Sequence, residues 1–372
     1  MQNKKVVSLL IVLLLTLSLC LVACGEKSVV STSGLEFELN EDGLGYTLVG
    51  LGTCSQPDIV VGTYLGLPVT AIGENAFVNE CLQSVTLSKR VKYIAENAFD
   101  GCSEIENVYF NGTLDEWLDI TYGNAYSAPM CSASNAKLHI NGNLLTSVTL
   151  DTERVPDSAF AGCASLTSVT FTQNVKEIGA SAFSACSNLG NFTLPNSLVE
   201  IDKSAFSGCT SITSVTIPNS VTTLGAYAFT YCTNLESVTI GTGIRLIDEG
   251  TFRSCTKLVD IDLANVQHVY DLAFDRCDAL ESISFPDGIT LSTFSFNGQN
   301  LKSLVIGPDS IFNCYITYDA TIYFRGTATE WKKVSDASYF NQLNITVYLY
   351  SQTTPTTDGQ YWHYVDNVPT AW

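Results

Sequence analysis

The chain has 372 residues, enough for a sizeable core, with ordinary hydrophobic content and few charges. Its formal net charge is −19, and no acidic run concentrates it. The charge therefore reads as a solubility device, and the scarcity of Lys and Arg argues against a nucleic-acid partner.

Residues 1–23 have the order of an export signal. Lys4 and Lys5 come first, and the apolar run Val6 to Leu19 follows. That run of about 14 residues falls short of the roughly 20 that a membrane span needs. Leu21-Val22-Ala23-Cys24 comes next and resembles the bacterial lipobox. The resemblance implies cleavage before Cys24 and a lipid on its sulfur, hence a membrane anchor. The alternative is an ordinary cleaved signal, or an uncleaved anchor, with Cys24 there by chance. Either reading gives an exported bacterial product. Losing Lys4 and Lys5 with the signal takes the net charge from −19 to −21. Residues 24–34 are rich in Ser and Val and read as a tether.

Residues 35–73 read as an N-terminal cap. Leu35 to Leu39 alternates as a strand, Asn40 to Gly43 turns, and Tyr46 to Val49 returns as a hairpin. A frame then begins in residues 74–111, with Ala76-Phe77 and Ala98-Phe99 each followed by a cysteine. Cys102 keeps the Phe-x-x-Cys spacing, and Cys81 comes one residue late.

Residues 112–147 interrupt the rhythm. Thr113 and Glu116 fit a capping box ahead of a short helix through Trp117. Asn141-Gly142 is a hairpin signal. The interruption recurs: Tyr323 to Trp331 matches Tyr109 to Trp117 at six of nine positions. Each Trp is read as a cover for the core rather than an exposed stacking surface, since Trp is usually mostly buried.

Residues 148–306 are the main array. Phe-x-x-Cys occurs at Phe160/Cys163, Phe183/Cys186, Phe206/Cys209, Phe229/Cys232, Phe252/Cys255 and Phe274/Cys277, with cysteine spacings of 23, 23, 23, 23 and 22. A fixed period of this length signals stacked repeats. Each repeat carries a half-buried strand of the form Leu-x-x-Val-x-Ile, as in Leu235-x-x-Val238-x-Ile240. One coil cannot bury its own apolar face, so neighbours must stack. Gln299 takes the cysteine slot in the last of these coils. Residues 307–350 hold the second insert and a C-terminal cap. Residues 351–372 are an aromatic tail with no repeat frame.

The frame Ile-Gly-x-x-Ala-Phe-x-x-Cys-x-x-Leu-x-x-Val-x-Ile-Pro, as in Ile178-Gly179 to Pro195, resembles the BspA-type leucine-rich repeat. The resemblance covers roughly residues 35–350 and departs from the frame at Cys81, Gln299 and Thr251. It implies a repeat solenoid: a curved β-solenoid with a parallel sheet on one face, short strands and turns on the other, and small helical inserts. It also implies attachment to proteins, matrix or other cells rather than catalysis.

Eight cysteines occupy the repeat slot: Cys81, Cys102, Cys163, Cys186, Cys209, Cys232, Cys255 and Cys277. Adjacent coils lie about 4.8 Å apart, so distance alone permits disulfides. Equivalent positions point their Cβ atoms in parallel, however, and cysteine packs well as a small buried hydrophobe. The expectation is a ladder of buried free thiols. No Cys-x-x-Cys exists and there are three histidines, so no metal and no cofactor are expected.

No nucleophile elbow or phosphate loop is present, and no catalytic residue is assigned. Asp260 and Asp262 flank one strand position as an acid pair. Their equivalents are Ser and Thr, which reads as local charge on a solvated face. The outward strand positions define a candidate partner face along one continuous sheet, including Tyr109, Thr170, Thr193, Thr216, Thr239, Asp260 and Asp262. The leading function is therefore a non-catalytic surface lipoprotein that binds a protein or extracellular-matrix ligand. A carbohydrate-binding or carbohydrate-processing surface protein, using the insert and tail aromatics on a glycan, is the alternative.

Overall fold

The computed structural model describes residues 29–292, 295–296, 301–312, 320–334, 346–355, 359–365 and 368–372. The signal segment, Cys24 and Gln299 lie outside the described residues.

The chain winds as a parallel β-solenoid whose coils have three sides. The coil from Ser214 shows why. Ser214–Thr216 is a strand with Val215 buried between two exposed neighbours. Pro218 follows; it lacks an N–H, and the next strand appears only after the Asn219-Ser220 turn. The second side is the two-residue strand Thr223–Leu224, with Leu224 turned inward. The third is a hook, Ala228-Phe229-Thr230-Tyr231-Cys232, which returns the chain to the next strand.

Each side stacks on its equivalent. Ser214–Thr216, Ser237–Thr239 and Asp260–Asp262 form one parallel sheet in register. Arg154–Val155, Glu177–Ile178, Glu200–Ile201 and Thr223–Leu224 form another. The hooks make a third ladder: Phe183 N donates to Ala205 O at 2.8 Å, and Phe206 N to Ala228 O at 2.8 Å. All three sides thus satisfy their backbone groups on the adjacent coil, which is what lets short strands persist.

The core is a strip running the length of the stack. Its axis is a column of phenylalanines. Phe160, Phe183, Phe206, Phe229, Phe252, Phe274 and Phe296 stack ring on ring at 5.3–5.9 Å, with interplanar angles of 14° or less. A period of 23 residues, 22 in the last two steps, places each ring over the last.

The ends and inserts close the strip. Glu36–Leu39 and Tyr46–Gly50 pair as an antiparallel hairpin. The last residues of the tether stretch are bound as well: Ser31 N donates to Thr63 O at 2.9 Å and Thr32 N to Val60 O at 3.0 Å. Helix α1, Leu114–Leu118, starts at a capping box between Thr113 and Glu116. It places Trp117 fully inside, edge-on to Phe110 at 5.3 Å, with Nε1 donating to Ala159 O at 2.8 Å. Helix α2, Ala328–Val334, repeats the device; Trp331 lies edge-on to Phe324 at 5.2 Å. The aromatic tail adds strand Tyr361–Val365 and the antiparallel strand Val368–Ala371 to the sheet. Trp362 is buried there, and its Nε1 donates to Phe324 O at 3.0 Å.

Candidate interaction surface

The longer strands present one outward face along the solenoid. Its inner positions are Val148, Val169, Val215, Val238, Ile261 and Ile283, all buried. Alternation then sends the flanking residues out. Ser147/Thr149 pair in register with Ser168/Thr170, and Ser214/Thr216 with Ser237/Thr239. All eight are exposed. Asp260 and Asp262 continue the row in register with Ser237 and Thr239. The Asp262 carboxylate also accepts from Ala264 N at 2.9 Å, so it closes the following turn.

The face is not continuous, which corrects the sequence expectation. No strand forms at Asn191-Phe192-Thr193, although Thr193 remains exposed. In the preceding coil pair, Thr167 N and Ser168 N both donate to the Thr146 carbonyl. Two coils further, Thr213 N and Ser214 N donate instead to the side-chain Oδ1 of Asn191, at 2.8 and 3.2 Å. Asn191 also donates from Nδ2 to Thr213 Oγ1 at 2.8 Å. A side-chain amide has replaced a backbone carbonyl in the ladder, and the hydroxyl rows fall into separate patches on either side.

An aromatic ledge stands near the first insert. Tyr109 and His139 face each other in register on paired strands, their rings 4.6 Å apart and tilted by 30°. His139 Nε2 lies 3.1 Å from Asn107 Oδ1. Burial, and then the neighbouring Lys137 charge, hold the imidazole pKa below its ordinary value. His139 was not singled out from the sequence. The alternation in Lys137-Leu138-His139-Ile140 carried the signal, but its pairing depends on the length of the insert.

The cysteine slot needs one correction. Cys102, Cys163, Cys186, Cys209, Cys232, Cys255 and Cys277 are buried, whereas Cys81 is exposed. The reason is register. Glu80 N donates to Phe77 O, the bond that Cys102 N makes to Phe99 O in the next coil. Glu80 therefore holds the slot on the backbone, and Cys81 projects past it. All ten cysteines among the described residues are free, so no disulfide occurs among them. Among the described residues no group of three or more His, Cys, Asp or Glu could hold a metal ion.

A family model for the BspA type leucine rich repeat region matches residues 70–148, 153–274 and 199–317, in six copies. Among solved structures, the chain is similar to a leucine-rich repeat protein from Bacteroides ovatus, with 23% identity over 87% of this chain and 71% of that one, at a TM-score of 0.42. It is also similar to a leucine rich cell surface protein from Faecalibacterium prausnitzii, with 22% identity over 84% of this chain and 100% of that one, at 0.39. A third is the pneumococcal vaccine antigen PcpA, with 17% identity over 86% of this chain and 98% of that one, at 0.47. No curated protein matches the sequence.

Proposed function

This chain belongs to the BspA-type leucine-rich repeat family, and on that premise we propose that it is a non-catalytic, lipid-anchored protein of the bacterial surface that binds a protein or matrix partner through the outer face of its longer strands. The observation that carries this reading is the in-register row of exposed Ser-Val-Thr strands. Short hydroxyl side chains leave the backbone ladder flat and approachable. Each hydroxyl contributes roughly 1 kcal/mol net, so affinity has to accumulate over many contacts, with the Tyr109–His139 ledge as the natural anchor.

The anchor rests on Lys4-Lys5, the apolar run and Leu21 to Cys24. The inserts favour a protein or matrix partner over the carbohydrate alternative, because Trp117 is enclosed and Trp331 packs on Phe324. Two measurements test the proposal. A fatty-acid probe fed to the host should label the wild type and not Cys24→Ala; equal labelling would refute the anchor. An array of matrix proteins should capture the full chain, and failure to capture it would count against the partner class.

A further inference from the structure

Three leucines stand out at one corner of the N-terminal cap: Leu39 is 56% exposed, Leu44 66% and Leu65 70%. Leu39 ends the first strand, in register with Tyr46. Leu44 lies in the turn between them, which closes as Asn40 N donates to Gly45 O at 2.9 Å. Leu65 stands at the tip of a second hairpin, where Tyr64 pairs with Leu67. The two turns are neighbours. Tyr46 is in register with Val69, and Asn40 Nδ2 donates to Thr70 Oγ1 at 2.9 Å. A Cβ on Gly45 would sit 3.0 Å from the Pro68 carbonyl oxygen. Three half-buried rings adjoin the corner: Phe37 stacks on Tyr64 at 4.3 Å, and Tyr46 meets Tyr64 edge-on at 5.0 Å.

The chain enters the fold at this same corner. Thr63, which opens the Leu65 hairpin, donates from N to Val29 O at 2.7 Å and accepts from Ser31 N at 2.9 Å. Val30, between those two, pairs with Thr63 and is itself 71% exposed. Five residues lead from Cys24 to Val29, a reach of at most about 18 Å whatever their conformation. A lipid on Cys24 therefore keeps Val29 within about 18 Å of the bilayer, with the leucine hairpin bonded beside it. A surface held so close to a membrane and built to stay in water would carry polar tips; this one carries leucine.

The charges define the kind of contact. No Lys or Arg occurs between Lys27 and Lys89, so anionic headgroups have no cation to attract. Glu36 and Glu38 alternate to the opposite side of their strand from Phe37 and Leu39. Glu41 and Asp42 flank Leu44, and the Asp42 carboxylate accepts from Leu44 N at 2.8 Å. The contact is thus apolar, with tyrosines placed where a membrane interface favours rings that have one polar end. It has no need to be strong alone. The anchor makes docking intramolecular, at a high effective concentration, and leucines entering the headgroup boundary add to an existing attachment.

We infer that this corner docks on the bacterial membrane, with Leu39, Leu44 and Leu65 entering the headgroup layer and Tyr46 and Tyr64 behind them, so that the solenoid stands with its N-terminal end against the lipid. The inference rests on the proposed lipid at Cys24.

The test places the full mature chain, purified with its lipid, in phosphatidylcholine vesicles containing brominated phospholipid, which quenches indole at bilayer depth. Leu44→Trp and Leu65→Trp each add a reporter, read as the difference from the wild type. Both added indoles should lose about half of their emission, and Ile311→Trp, exposed near the far end of the stack, should lose none. Leu39→Ser with Leu65→Ser, added to Leu44→Trp, changes exposed positions only; the unfolding midpoint should hold while quenching falls by more than about twofold. High salt should leave quenching unchanged, and replacing half of the lipid with phosphatidylglycerol should lower it, because Glu41 and Asp42 flank the tip. A chain that takes no fatty-acid label refutes the anchor instead. The same variants carrying an N-terminal hexahistidine in place of the lipid, held on nickel-chelating lipid, then give docking its own result. Absence of quenching in an anchored chain, equal quenching of Ile311→Trp, or an undiminished signal in the serine variant would overturn the inference. So would dimerisation of the lipid-free chain that the leucine substitutions abolish, which would assign the corner to a second copy.

Discussion

The Cys209 thiol lies 3.1 Å from the carbonyl oxygen of Phe183, one coil back, and donates to it. The same bond links Cys186 to Phe160, Cys232 to Phe206, Cys255 to Phe229 and Cys277 to Phe252, at 3.1–3.2 Å. Only a protonated thiol can donate, and burial opposes its ionisation: Cys209 and Cys255 are held well above the ordinary thiol range, and Cys232 is raised to about 12. This sets an alkaline limit on stability. Below about pH 9 the thiols are protonated in both folded and unfolded chains, and their contribution is fully present. Above it the unfolded chain releases protons that the folded chain retains, so stability falls with rising pH, by up to about 1.4 kcal/mol per unit for each buried thiol. Urea unfolding from pH 8 to 11 should show the midpoint dropping steadily, and Cys232→Ala should drop less steeply. A flat profile would contradict the buried-thiol account.

Cys81 should behave unlike the ladder. A small alkylating reagent at pH 8 should modify it in the native protein, with slower reaction at the half-buried Cys54 and Cys131. The seven buried repeat thiols should react only after denaturation, without any reductant. If they react only after reduction, disulfides have replaced the ladder.

The hook requires a left-handed residue two places after each Phe. Gly101, Gly162 and Gly208 supply it without strain, whereas Ala185 sits there at φ 57°. Ala185→Gly should therefore stabilise the protein by roughly 0.5–1 kcal/mol, since relief of the left-handed strain exceeds the added chain entropy. The reverse change at Gly162 should cost much more, because its Cβ would strike the Met130 carbonyl. Denaturant midpoints of the two variants moving in the same direction would refute the assignment.

Asn191 is predicted to matter for stability although it lies on the surface. Replacing it with Ala removes the acceptor of Thr213 N and Ser214 N; both positions are exposed, so water takes part of its place and the loss should be about 0.5–1.5 kcal/mol. A loss below about 0.5 kcal/mol would mean that Gly190 and its neighbours relax into an ordinary strand and restore the ladder.

How much of this was legible in the sequence follows from the kind of interaction involved. The Phe-x-x-Cys period, the capping boxes at Thr113 and Thr327 and the Asn141-Gly142 hairpin depend on neighbours in sequence or on a repeated frame, so they can be read directly. The interruption at Asn191 depends on whether an amide or a carbonyl wins two N–H donors on the next coil, which no periodicity encodes. The exposure of Cys81 depends on a one-residue insertion whose effect is settled by the Glu80 backbone bond. The tail showed no repeat frame, and its docking was not legible because Trp362 finds its partner, the Phe324 carbonyl, 38 residues away.

The central claim is that the outward strand face binds the partner. Thr170, Thr216 and Thr239 are exposed on the outward side of their strands, so Thr170→Lys, Thr216→Lys and Thr239→Lys together should leave the unfolding midpoint unchanged. The direct measurement is capture of this triple variant and of the wild type on the same matrix-protein array. The account predicts capture of the wild type and loss of that capture in the variant; equal capture of a folded variant would place the partner elsewhere on the solenoid and contradict it.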